Sequence, residues 1–372
     1  MKMKAAVLEK FGEPLVLQTV EVREPLANEV RVKMVGTGIC ATDVAYQYNN
    51  FGLDLHLPLV LGHEGTGIVE SVGAGVLKVK AGDHVIISNP SCGTCETCAE
   101  GKEWYCEESA SGHLLTDGVD FFGTTTTKKL DGTPVHLLFQ QSSYAEYVVS
   151  NQRGITKIPD SINLKIAGPI GCGLRAGAGG VYNVLKPKAG QWVLINGAGP
   201  VGLAGLWMAK AMGANTVVVD INDERLALAK DTGATKIVNT KGLSQDEAVK
   251  AIKAAMGGKA AHHMLEATAV SQAIQTGMLA LKGGGIVAQV AVAGEMNFDS
   301  WFFGPVDSKT IVMVRMGNVA NDIIIPVICD LYEKGEFPID RIITFYKFED
   351  INQAMDDCRD SKVIKSVVLF GE

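Results

Sequence analysis

The stretch Gly197-Ala198-Gly199-Pro200-Val201-Gly202 decides the fold. It follows a predicted strand at residues 191–196 and opens an apolar helix over residues 201–212. In such a strand–turn–helix unit, the first glycine permits the turn, the second lets the backbone approach a pyrophosphate, and the third lets the helix pack closely on the strand. The pyrophosphate then lies at the helix N-terminus. The pattern therefore predicts a dinucleotide site formed by Gly197, Gly199, Pro200, Val201 and Gly202.

The next strand indicates which dinucleotide is bound. It is predicted at residues 216–220 and ends in Asp220, 18 residues after Gly202. A carboxylate at this position accepts hydrogen bonds from the adenosine ribose and repels a 2′-phosphate, which favours NAD over NADP. Arg225 follows closely and could hold a 2′-phosphate instead. NAD is the predicted cofactor, with contacts from Asp220 and Arg225, and NADP is the alternative.

The same alternation of strands and helices extends over residues 174–314. Beyond the two strands already named, the hydrophobic pattern predicts four more near residues 236–238, 262–266, 286–290 and 311–315. Helices are predicted between them, at about 223–230, 244–256 and 270–281. Six strands joined by crossover helices predict an α/β fold with a doubly wound parallel Rossmann sheet.

The first 150 residues have a different pattern. Short alternating segments at residues 30–35, 65–72 and 84–87 are separated by glycines, which predicts an irregular β-rich domain of barrel type. Residues 107–141 are predicted to be a long, packed surface loop. After residue 315 the sequence predicts helices at 321–334 and 348–359 and a strand at 363–370, a piece too short to fold alone.

Composition excludes several classes of protein. The chain has 372 residues, which is enough for two domains, and a net charge of −7 that argues against a nucleic-acid surface. It contains neither an apolar run of bilayer length nor a secretory signal, so no membrane partner is expected. Eight cysteines in so long a chain do not suggest a secreted disulfide scaffold. A reducing, cytoplasmic location is predicted.

Half of these cysteines form one cluster, Cys92-Gly-Thr-Cys95-Glu-Thr-Cys98, followed by Cys106. Four thiolates in fifteen residues can surround one Zn²⁺ tetrahedrally and leave no open position, which is typical of a structural site. An iron–sulfur cluster and a pair of disulfides are the alternatives. Residues 92–106 are therefore predicted to form a structural zinc lobe.

Three other residues suggest a second zinc. Cys40, His63 and Cys172 lie in the stretches Gly38-Ile-Cys-Ala-Thr-Asp43, Leu61-Gly-His-Glu-Gly65 and Gly168-Pro-Ile-Gly-Cys-Gly173. Taken singly, each is more simply a core cysteine or a turn histidine. Together they make a Cys₂His set, and three protein ligands plus one open position are typical of catalytic zinc. Asp43 and Glu64 are candidates to orient the histidine through its second ring nitrogen.

These motifs, in this order, resemble the zinc-dependent medium-chain alcohol dehydrogenases, over essentially the whole chain. Within that family the sequence looks closest to the aryl-alcohol (benzyl alcohol) dehydrogenases, on the stretches at 168–173, 183–187 and 345–354. The resemblance implies a GroES-like catalytic domain, residues 1–173, completed by residues 315–372, with the Rossmann domain 174–314 inserted between. It also implies that Lys365 approaches the cofactor pyrophosphate and that Glu64 can exchange onto the catalytic metal.

The implied reaction is reversible hydride transfer between a primary aryl or allylic alcohol and NAD, with two Zn²⁺ per chain. Thr42 would accept the hydroxyl proton and pass it towards solvent. The catalytic residues are then Cys40, Thr42, His63 and Cys172. Tyr46, Tyr48, Phe51 and Leu53 are candidate walls of a substrate pocket.

The sequence departs from the family at Ala41, where many members have a basic residue, and at Ala45, where liver-type members have the outer histidine of a proton relay. His56 is nearby in sequence, but the pattern does not place it. A glutathione-dependent formaldehyde dehydrogenase and a non-catalytic zinc- and NAD-binding protein are the alternatives. A homodimer or homotetramer acting on a small alcohol or aldehyde is expected.

Overall fold

The computed structural model describes residues 1–109, 115, 117–292, 298, 300–305 and 307–371. The chain divides into two compact units: Met1–Cys172 with Ala320–Cys329 and Ile339–Glu372, and Gly173–Val319 with Asp330–Pro338. Two short pieces, 315–319 and 330–338, thus lie in the second unit, whereas the sequence assigned them to the catalytic domain. Packing explains the later piece, because the fully buried Phe337 packs edge-on against Trp207 with ring centroids 4.9 Å apart.

In chain order, the strands of the described residues are β1 Lys2–Leu8, β2 Val16–Val22, β3 Glu29–Gly38, β4 Leu59–Val60, β5 Gly65–Val72, β6 His84–Ile87, β7 Thr127–Lys129, β8 Pro134–Leu137, β9 Tyr147–Asn151, β10 Ile155–Lys157, β11 Trp192–Asn196, β12 Asn215–Asp220, β13 Lys236–Asn239, β14 Ala261–Glu266, β15 Leu281–Gln289, β16 Thr310–Met313, β17 Ile343–Lys347 and β18 Lys365–Leu369. The α-helices are Ala41–Gln47, Glu96–Ala99, Leu164–Ala167, Gly173–Gly179, Pro200–Ala211, Asp223–Asp231, Gln245–Ala255, Ser271–Leu279, Asn321–Glu333 and Ile351–Arg359. Shorter 3₁₀ or π turns occupy Glu103–Tyr105, Gln152–Gly154, Gly168–Gly171, Gly180–Leu185, Ser300–Phe303, Met316–Asn318, Ile339–Ile342 and Phe348–Asp350.

The first unit combines a closed barrel with a mixed sheet, as the β-rich pattern predicts. The barrel has the order β1-β2-β7-β8-β4, and the sheet has the order β10-β6-β5-β3-β18-β17 with β9 also paired to β3. The last strand of the chain thus lies beside β3, with Val367 opposite Gly38. This pairing places Lys365 close to the segment that follows β3.

The prediction of a loop over residues 107–141 is partly wrong, because β7 and β8 belong to the barrel. They have three and four residues and pair with strands remote in sequence, Val22 with Thr127 and Leu59 with His136. Segments this short carry too little alternation to reveal a strand whose partners are so distant. Residues 110–114 and 116 of the predicted loop lie outside the described residues.

The second unit contains the predicted doubly wound sheet. Its order is β13-β12-β11-β14-β15-β16, and every neighbouring pair is parallel. This is the strand order of a dinucleotide-binding fold, in which ligands bind at the carboxyl ends of the strands. Side-chain caps begin two of the crossover helices: Asn222 caps the helix Asp223–Asp231, and Ser244 and Glu247 cap the helix Gln245–Ala255 reciprocally. Among the described helices, none has the length and apolar character needed to cross a membrane.

Candidate functional site: two metal-ligand sets and a dinucleotide turn

The cysteine lobe brings its four sulfurs together. The Sγ atoms of Cys92, Cys95, Cys98 and Cys106 all lie within 4.8 Å of one another, and all four are free thiols. Zn–S bonds of about 2.3 Å in a tetrahedron would place the sulfurs about 3.8 Å apart. Backbone N–H groups of Thr94 and Cys95 donate to the Cys92 sulfur at 3.4 and 3.3 Å, which favours the thiolate form. The lobe therefore fits one tetrahedral zinc ion.

A second set comprises Cys40, His63, Glu64 and Cys172, whose ligand atoms also lie within 4.8 Å of one another. The two cysteines and the histidine come from three different segments. Cys40 is the N-cap of the helix Ala41–Gln47, His63 lies between β4 and β5 after Gly62, and Cys172 follows the turn Gly168–Gly171. Gly62 has φ +94°, a backbone conformation that favours glycine, and its position lets the chain reverse so that His63 points inward.

Two glycines before Cys172 let its segment pack closely on neighbouring segments. In the structure, a Cβ on Gly168 would lie 2.3 Å from the Glu64 carbonyl oxygen, and one on Gly171 would lie 2.4 Å from that of Ile87. These glycines are thus required by close packing of the Cys172 segment on the segments that carry His63 and β6.

Asp43 orients the histidine. Its Oδ1 lies 2.8 Å from His63 Nδ1 and accepts from the Gly62 N–H at 3.0 Å, while its Oδ2 accepts from the Cys40 N–H at 3.0 Å. The carboxylate is fully buried and so ties two ligand segments together. His63 Nε2 is then left buried without a hydrogen-bond partner among the described residues. A buried ring nitrogen without a partner, beside two thiols and a carboxylate, fits a metal ligand.

The contact between the two thiols of this set shifts their pKa values in opposite directions. The pKa of Cys40 is held well below that of an ordinary thiol because Cys172 hydrogen-bonds to its sulfur, with a smaller contribution from His63. The same contact, together with burial, holds the pKa of Cys172 well above its ordinary value. A divalent cation bound here would displace thiol protons, because metal binding to thiols releases protons. The set therefore suits zinc in charge as well as in ligand type.

Lys365 lies against this ligand set, where the sequence predicted a contact with the cofactor. The lysine is 4% exposed, its Nζ lies 2.6 Å from Glu64 Oε2, and it donates to the Ile39 carbonyl at 2.8 Å. Burial raises the pKa of Glu64 to about 7, although the charge of Lys365 acts in the opposite direction. In this structure the ammonium group of Lys365 thus pairs with the carboxylate that groups with the two thiols and His63.

Thr42 lies in the first turn of the helix that Cys40 caps and is half-buried, so its hydroxyl is two residues from a metal-ligand candidate.

His56 stacks on His136 with ring centroids 5.1 Å apart. Among the predicted pocket walls, Tyr46 is buried, Leu53 packs against the core around it, and Tyr48 is exposed and accepts a hydrogen bond from Arg359.

Sequence reasoning missed the role of Phe139. Its ring lies edge-on to His63 at 5.2 Å and to Tyr46 at 5.6 Å, and Tyr46 in turn contacts Phe51 at 5.2 Å. Phe139 has φ +50°, which is rare for a bulky residue and marks a strained backbone. The only sequence signal was an aromatic residue in a segment predicted to be packed. An aromatic wall therefore begins at His63.

The dinucleotide turn has the geometry that each glycine predicts. Gly197 has φ +99°, a Cβ on Gly199 would meet nothing within 4 Å, and a Cβ on Gly202 would lie 1.7 Å from the Gly197 carbonyl oxygen. Pro200 begins the helix Pro200–Ala211, and Val201 is its second residue. The open space over Gly199, at a helix N-terminus, fits the pyrophosphate of a dinucleotide.

Asp220 ends β12 and is fixed by backbone N–H groups: Oδ2 accepts from Ala198 at 2.7 Å, and Oδ1 accepts from Ile221 and Asn222 at 2.7 and 2.9 Å. Arg225 is half-buried in the next helix, and its backbone N–H is capped by Asn222. At the same strand ends lies a cavity of about 160 Å³. Its lining includes Asn196, Val219, Thr240, Val270 and Ala273.

The chain matches two family models, an alcohol dehydrogenase GroES-like domain at residues 26–160 and a zinc-binding dehydrogenase at residues 200–327. Geraniol dehydrogenase of Castellaniella defragrans is 35% identical, over 99% of this chain and 97% of that protein. Alcohol dehydrogenase class-P of Arabidopsis thaliana is 32% identical, over 100% and 98%.

Among solved structures, benzyl alcohol dehydrogenase of Acinetobacter calcoaceticus is 34% identical, with a TM-score of 0.90 over the whole of both chains. An alcohol dehydrogenase zinc-binding domain protein from Burkholderia ambifaria is 33% identical, with a TM-score of 0.92 and the same coverage. The cofactors that follow are NAD and two zinc ions per chain. With both domain types matched and relatives aligned along its full length, this chain belongs to the zinc-dependent medium-chain alcohol dehydrogenases, enzymes that oxidise alcohols with NAD.

Proposed function

We propose that this enzyme interconverts a primary alcohol of aryl or allylic type and its aldehyde, with the catalytic zinc on Cys40, His63 and Cys172 and the structural zinc on Cys92, Cys95, Cys98 and Cys106. The observation that carries the proposal is the buried His63 Nε2, unpartnered among the described residues and directed at two thiols. When bound, zinc would supply a Lewis acid that lowers the pKa of the alcohol hydroxyl, and NAD would accept the hydride.

The protein residues hold this chemistry in place. Asp43 fixes the tautomer of His63, since Nδ1–H donates to Oδ1 and leaves Nε2 free to ligate. Glu64 is available as a fourth ligand when Lys365 releases it, because both side chains lie beside the two cysteines. Three fixed protein ligands leave one position for the reacting oxygen.

Thr42 is the proposed acceptor of the hydroxyl proton. Its side chain starts two residues after Cys40, in a helix whose first turn is tied to the site by Asp43. A hydroxyl can accept one hydrogen bond and donate another, so it can pass a proton on without carrying a charge. Because Ala45 carries no titratable group, the outer end of the relay differs from that of liver-type relatives.

The substrate class rests on the aromatic wall and on the names of two relatives. Phe139, Tyr46 and Phe51 form a chain of ring contacts that begins at His63. Flat, apolar rings favour an unsaturated or aromatic substituent next to the alcohol carbon. Geraniol is an allylic primary alcohol and benzyl alcohol is an aryl one, and dehydrogenases of both names are similar to this chain.

The cofactor contacts that we propose are the ones the sequence predicts. The pyrophosphate would lie against Gly197, Gly199, Pro200, Val201 and Gly202. The adenosine ribose would lie against Asp220 and Arg225. The carboxylate of Asp220 has further lone pairs besides those used by its three backbone donors. The cavity at the ends of β11 and β12 would receive the adenine ring. Lys365 would contact the pyrophosphate only after its ion pair with Glu64 is broken.

A substrate panel tests the proposal. Zinc-loaded enzyme is assayed with NAD against benzyl, cinnamyl, geranyl and short aliphatic alcohols, and against formaldehyde with and without glutathione. The proposal expects the highest kcat/KM for the unsaturated alcohols and no glutathione requirement. A preference for ethanol would contradict the substrate class, and activity that needs glutathione would establish the formaldehyde branch instead.

The role of Thr42 is tested with a matched pair of variants. Thr42→Val keeps the shape and removes the hydroxyl, so kcat is expected to fall about 100-fold or more, in the range that acid–base catalysis contributes. Thr42→Ser keeps the hydroxyl and is expected to retain most of the activity. Zinc content, measured on both, should stay at two per chain. Full activity in Thr42→Val would remove threonine from the proton path.

We also infer a homodimer or homotetramer in the cytoplasm. The strand β16 is at the edge of its sheet, Met313 on it is 52% exposed, and Trp301 nearby in sequence is 68% exposed. Exposed apolar side chains on and near the last strand of this sheet, in the part of the chain that the structure describes, suit contact with a second copy. The eight free thiols suit a reducing compartment. Light scattering after size exclusion measures the assembly, and a monomer at micromolar concentration would exclude it.

A further inference from the structure

A row of buried polar side chains crosses the parallel sheet of the second unit. Asn196, Glu266 and Gln289 are the last residues of β11, β14 and β15, and the register pairs Asn196 with Glu266 and Glu266 with Gln289. Residues paired across neighbouring strands project from the same face. Their exposed fractions are 4%, 0% and 0%. This row lies at the carboxyl edge of the sheet, where a doubly wound fold binds its ligand.

Glu266 is the centre of the row. Its Oε2 accepts from Asn196 Nδ2 at 2.5 Å, and its Oε1 accepts from the backbone N–H and the hydroxyl of Thr268 at 2.6 and 2.5 Å. Burial raises the pKa of this carboxyl, while the donors of Thr268 and Asn196 oppose the shift. A buried carboxyl is costly where an apolar side chain could fill the space. Its presence here therefore points to a task other than packing.

These hydrogen bonds join two segments of backbone. The turn at Gly197 rests on the loop after β14: a Cβ on Gly197 would lie 3.1 Å from Thr268 Cγ2, and the Ala267 N–H donates to the Asn196 carbonyl at 2.9 Å. Asn196 Nδ2 also reaches the Ala273 carbonyl at 3.1 Å. Glu266 therefore holds the dinucleotide turn on one side and the loop 267–270 on the other.

The loop it holds is strained and lines the cavity. Ala269 has φ +59°, a left-handed conformation that is unfavourable for an L-residue and persists only where its surroundings impose it. Asn196, Val270 and Ala273 line the 160 Å³ cavity at the strand ends. Without the Glu266 bonds, the loop would relax and the cavity wall would move.

We propose that Glu266 is a positioning residue for the dinucleotide: through Asn196 and Thr268 it fixes the Gly197 turn against the 267–270 loop in the shape that receives NAD. It acts without contacting the cofactor. The inference rests on NAD as the cofactor, and titration of the unaltered enzyme with NAD and NADP tests that premise separately.

The test weakens the clamp at Thr268. Thr268→Val keeps the shape but removes the hydroxyl donor, and Thr268→Ser keeps both donors. The Kd of the zinc-loaded enzyme for NAD and for NADH is measured by fluorescence or calorimetric titration. We expect Thr268→Val to raise both values by a similar factor, about tenfold, which corresponds to about 1.4 kcal/mol. Thr268→Ser should bind like the unaltered enzyme, and the KM for alcohol at saturating NAD should not change in either.

Thr232→Val is the control, because Thr232 is also a buried threonine of this unit, donates to the Leu228 carbonyl at 2.8 Å, and lies outside the cavity lining. It should lower the Tm and leave the Kd unchanged. If Thr268→Val fails to fold, Glu266→Gln is used instead. The amide N–H₂ group of glutamine would face a hydrogen-bond donor of Asn196 or Thr268 and so would break one of the hydrogen bonds to Glu266. Unchanged Kd in the clamp variants, a rise for only one redox form, or an equal rise in Thr232→Val would overturn the proposal.

Discussion

Two glycines of the dinucleotide turn should respond to alanine in opposite ways. Gly199 has φ −76° and an added Cβ meets nothing within 4 Å, so the folded chain can accept Gly199→Ala. The substitution also restricts the unfolded chain, which stabilises by about 0.4–1 kcal/mol, while alanine is a poorer N-cap than glycine by a comparable amount. The net change in the free energy of unfolding is therefore expected within about 1 kcal/mol, or about 1–3 °C in the Tm of the cofactor-free protein.

Cofactor binding should nevertheless become weaker. The methyl group that Gly199→Ala introduces would occupy the space through which the backbone approaches the pyrophosphate. Losing one hydrogen bond to a charged phosphate removes about 1.5–3 kcal/mol, which is about 10- to 150-fold in Kd. Gly202→Ala gives the contrast: its Cβ would lie 1.7 Å from a carbonyl oxygen, so the backbone must move and the Tm should fall clearly.

The assay combines a thermal melt without cofactor and a fluorescence titration with NADH for each variant. Gly199→Ala should melt like the unaltered enzyme. It should bind NADH at least tenfold more weakly, because it loses a hydrogen bond to the phosphate. If it binds within about twofold of the unaltered Kd, the open space over Gly199 is not where the pyrophosphate lies. If its Tm falls as far as that of Gly202→Ala, the assignment of separate roles to the two glycines is wrong.

Two further predictions concern the affinity for zinc and the pH dependence of stability. Asp43→Asn should weaken zinc at the second set by about 10- to 100-fold, because its amide would face the Cys40 N–H, donor against donor; chelator competition measures this. Asp83→Asn, which also removes a buried carboxylate but one paired with Lys157, should keep both zinc ions, and equal zinc loss in the two would contradict the role of Asp43. Burial lowers the pKa of His263 in the folded protein to about 4, whereas the same side chain in the unfolded chain has a pKa of about 6.5. As the pH drops from about 6.5 towards 4, the unfolded chain therefore binds a proton that the folded protein does not bind, and the free energy of unfolding falls. His263→Gln should lessen that fall in denaturant titrations at pH 7 and 5, and an unchanged pH dependence would refute it.

Local chemistry made much of the architecture predictable. A turn glycine, a packing glycine and a carboxylate at the end of a strand each act within a few residues of their own position, so the α/β fold and the strands β11 to β16 follow from the pattern. The barrel strands β7 and β8 depend instead on partners more than 70 residues away in sequence, as with Leu59 and His136. Pattern reasoning has no access to such pairings.

The sequence predicts the residues of the second ligand set but not the contacts that surround them. Residue type and order identified Cys40, His63 and Cys172, but nothing local indicated that Phe139 lies against the histidine or that Lys365 neutralises Glu64. Both contacts join segments that only the completed sheet and barrel bring together. Phe139 also has a backbone conformation that its residue type disfavours, so propensity argued against its true geometry.

Asp43 explains why three segments remote from one another can nonetheless form one metal site. Hydrogen bonds join Cys40, Gly62 and His63 to a single buried carboxylate, so two of the three proposed ligands are oriented before any metal binds. The third proposed ligand, Cys172, is fixed by glycines that allow its turn to pack on the Glu64 carbonyl. Preorganisation of this kind reduces the ordering that metal binding must bring about. The affinity for zinc should therefore depend on Asp43 and Gly168 almost as strongly as on the ligands, although neither would contact the ion.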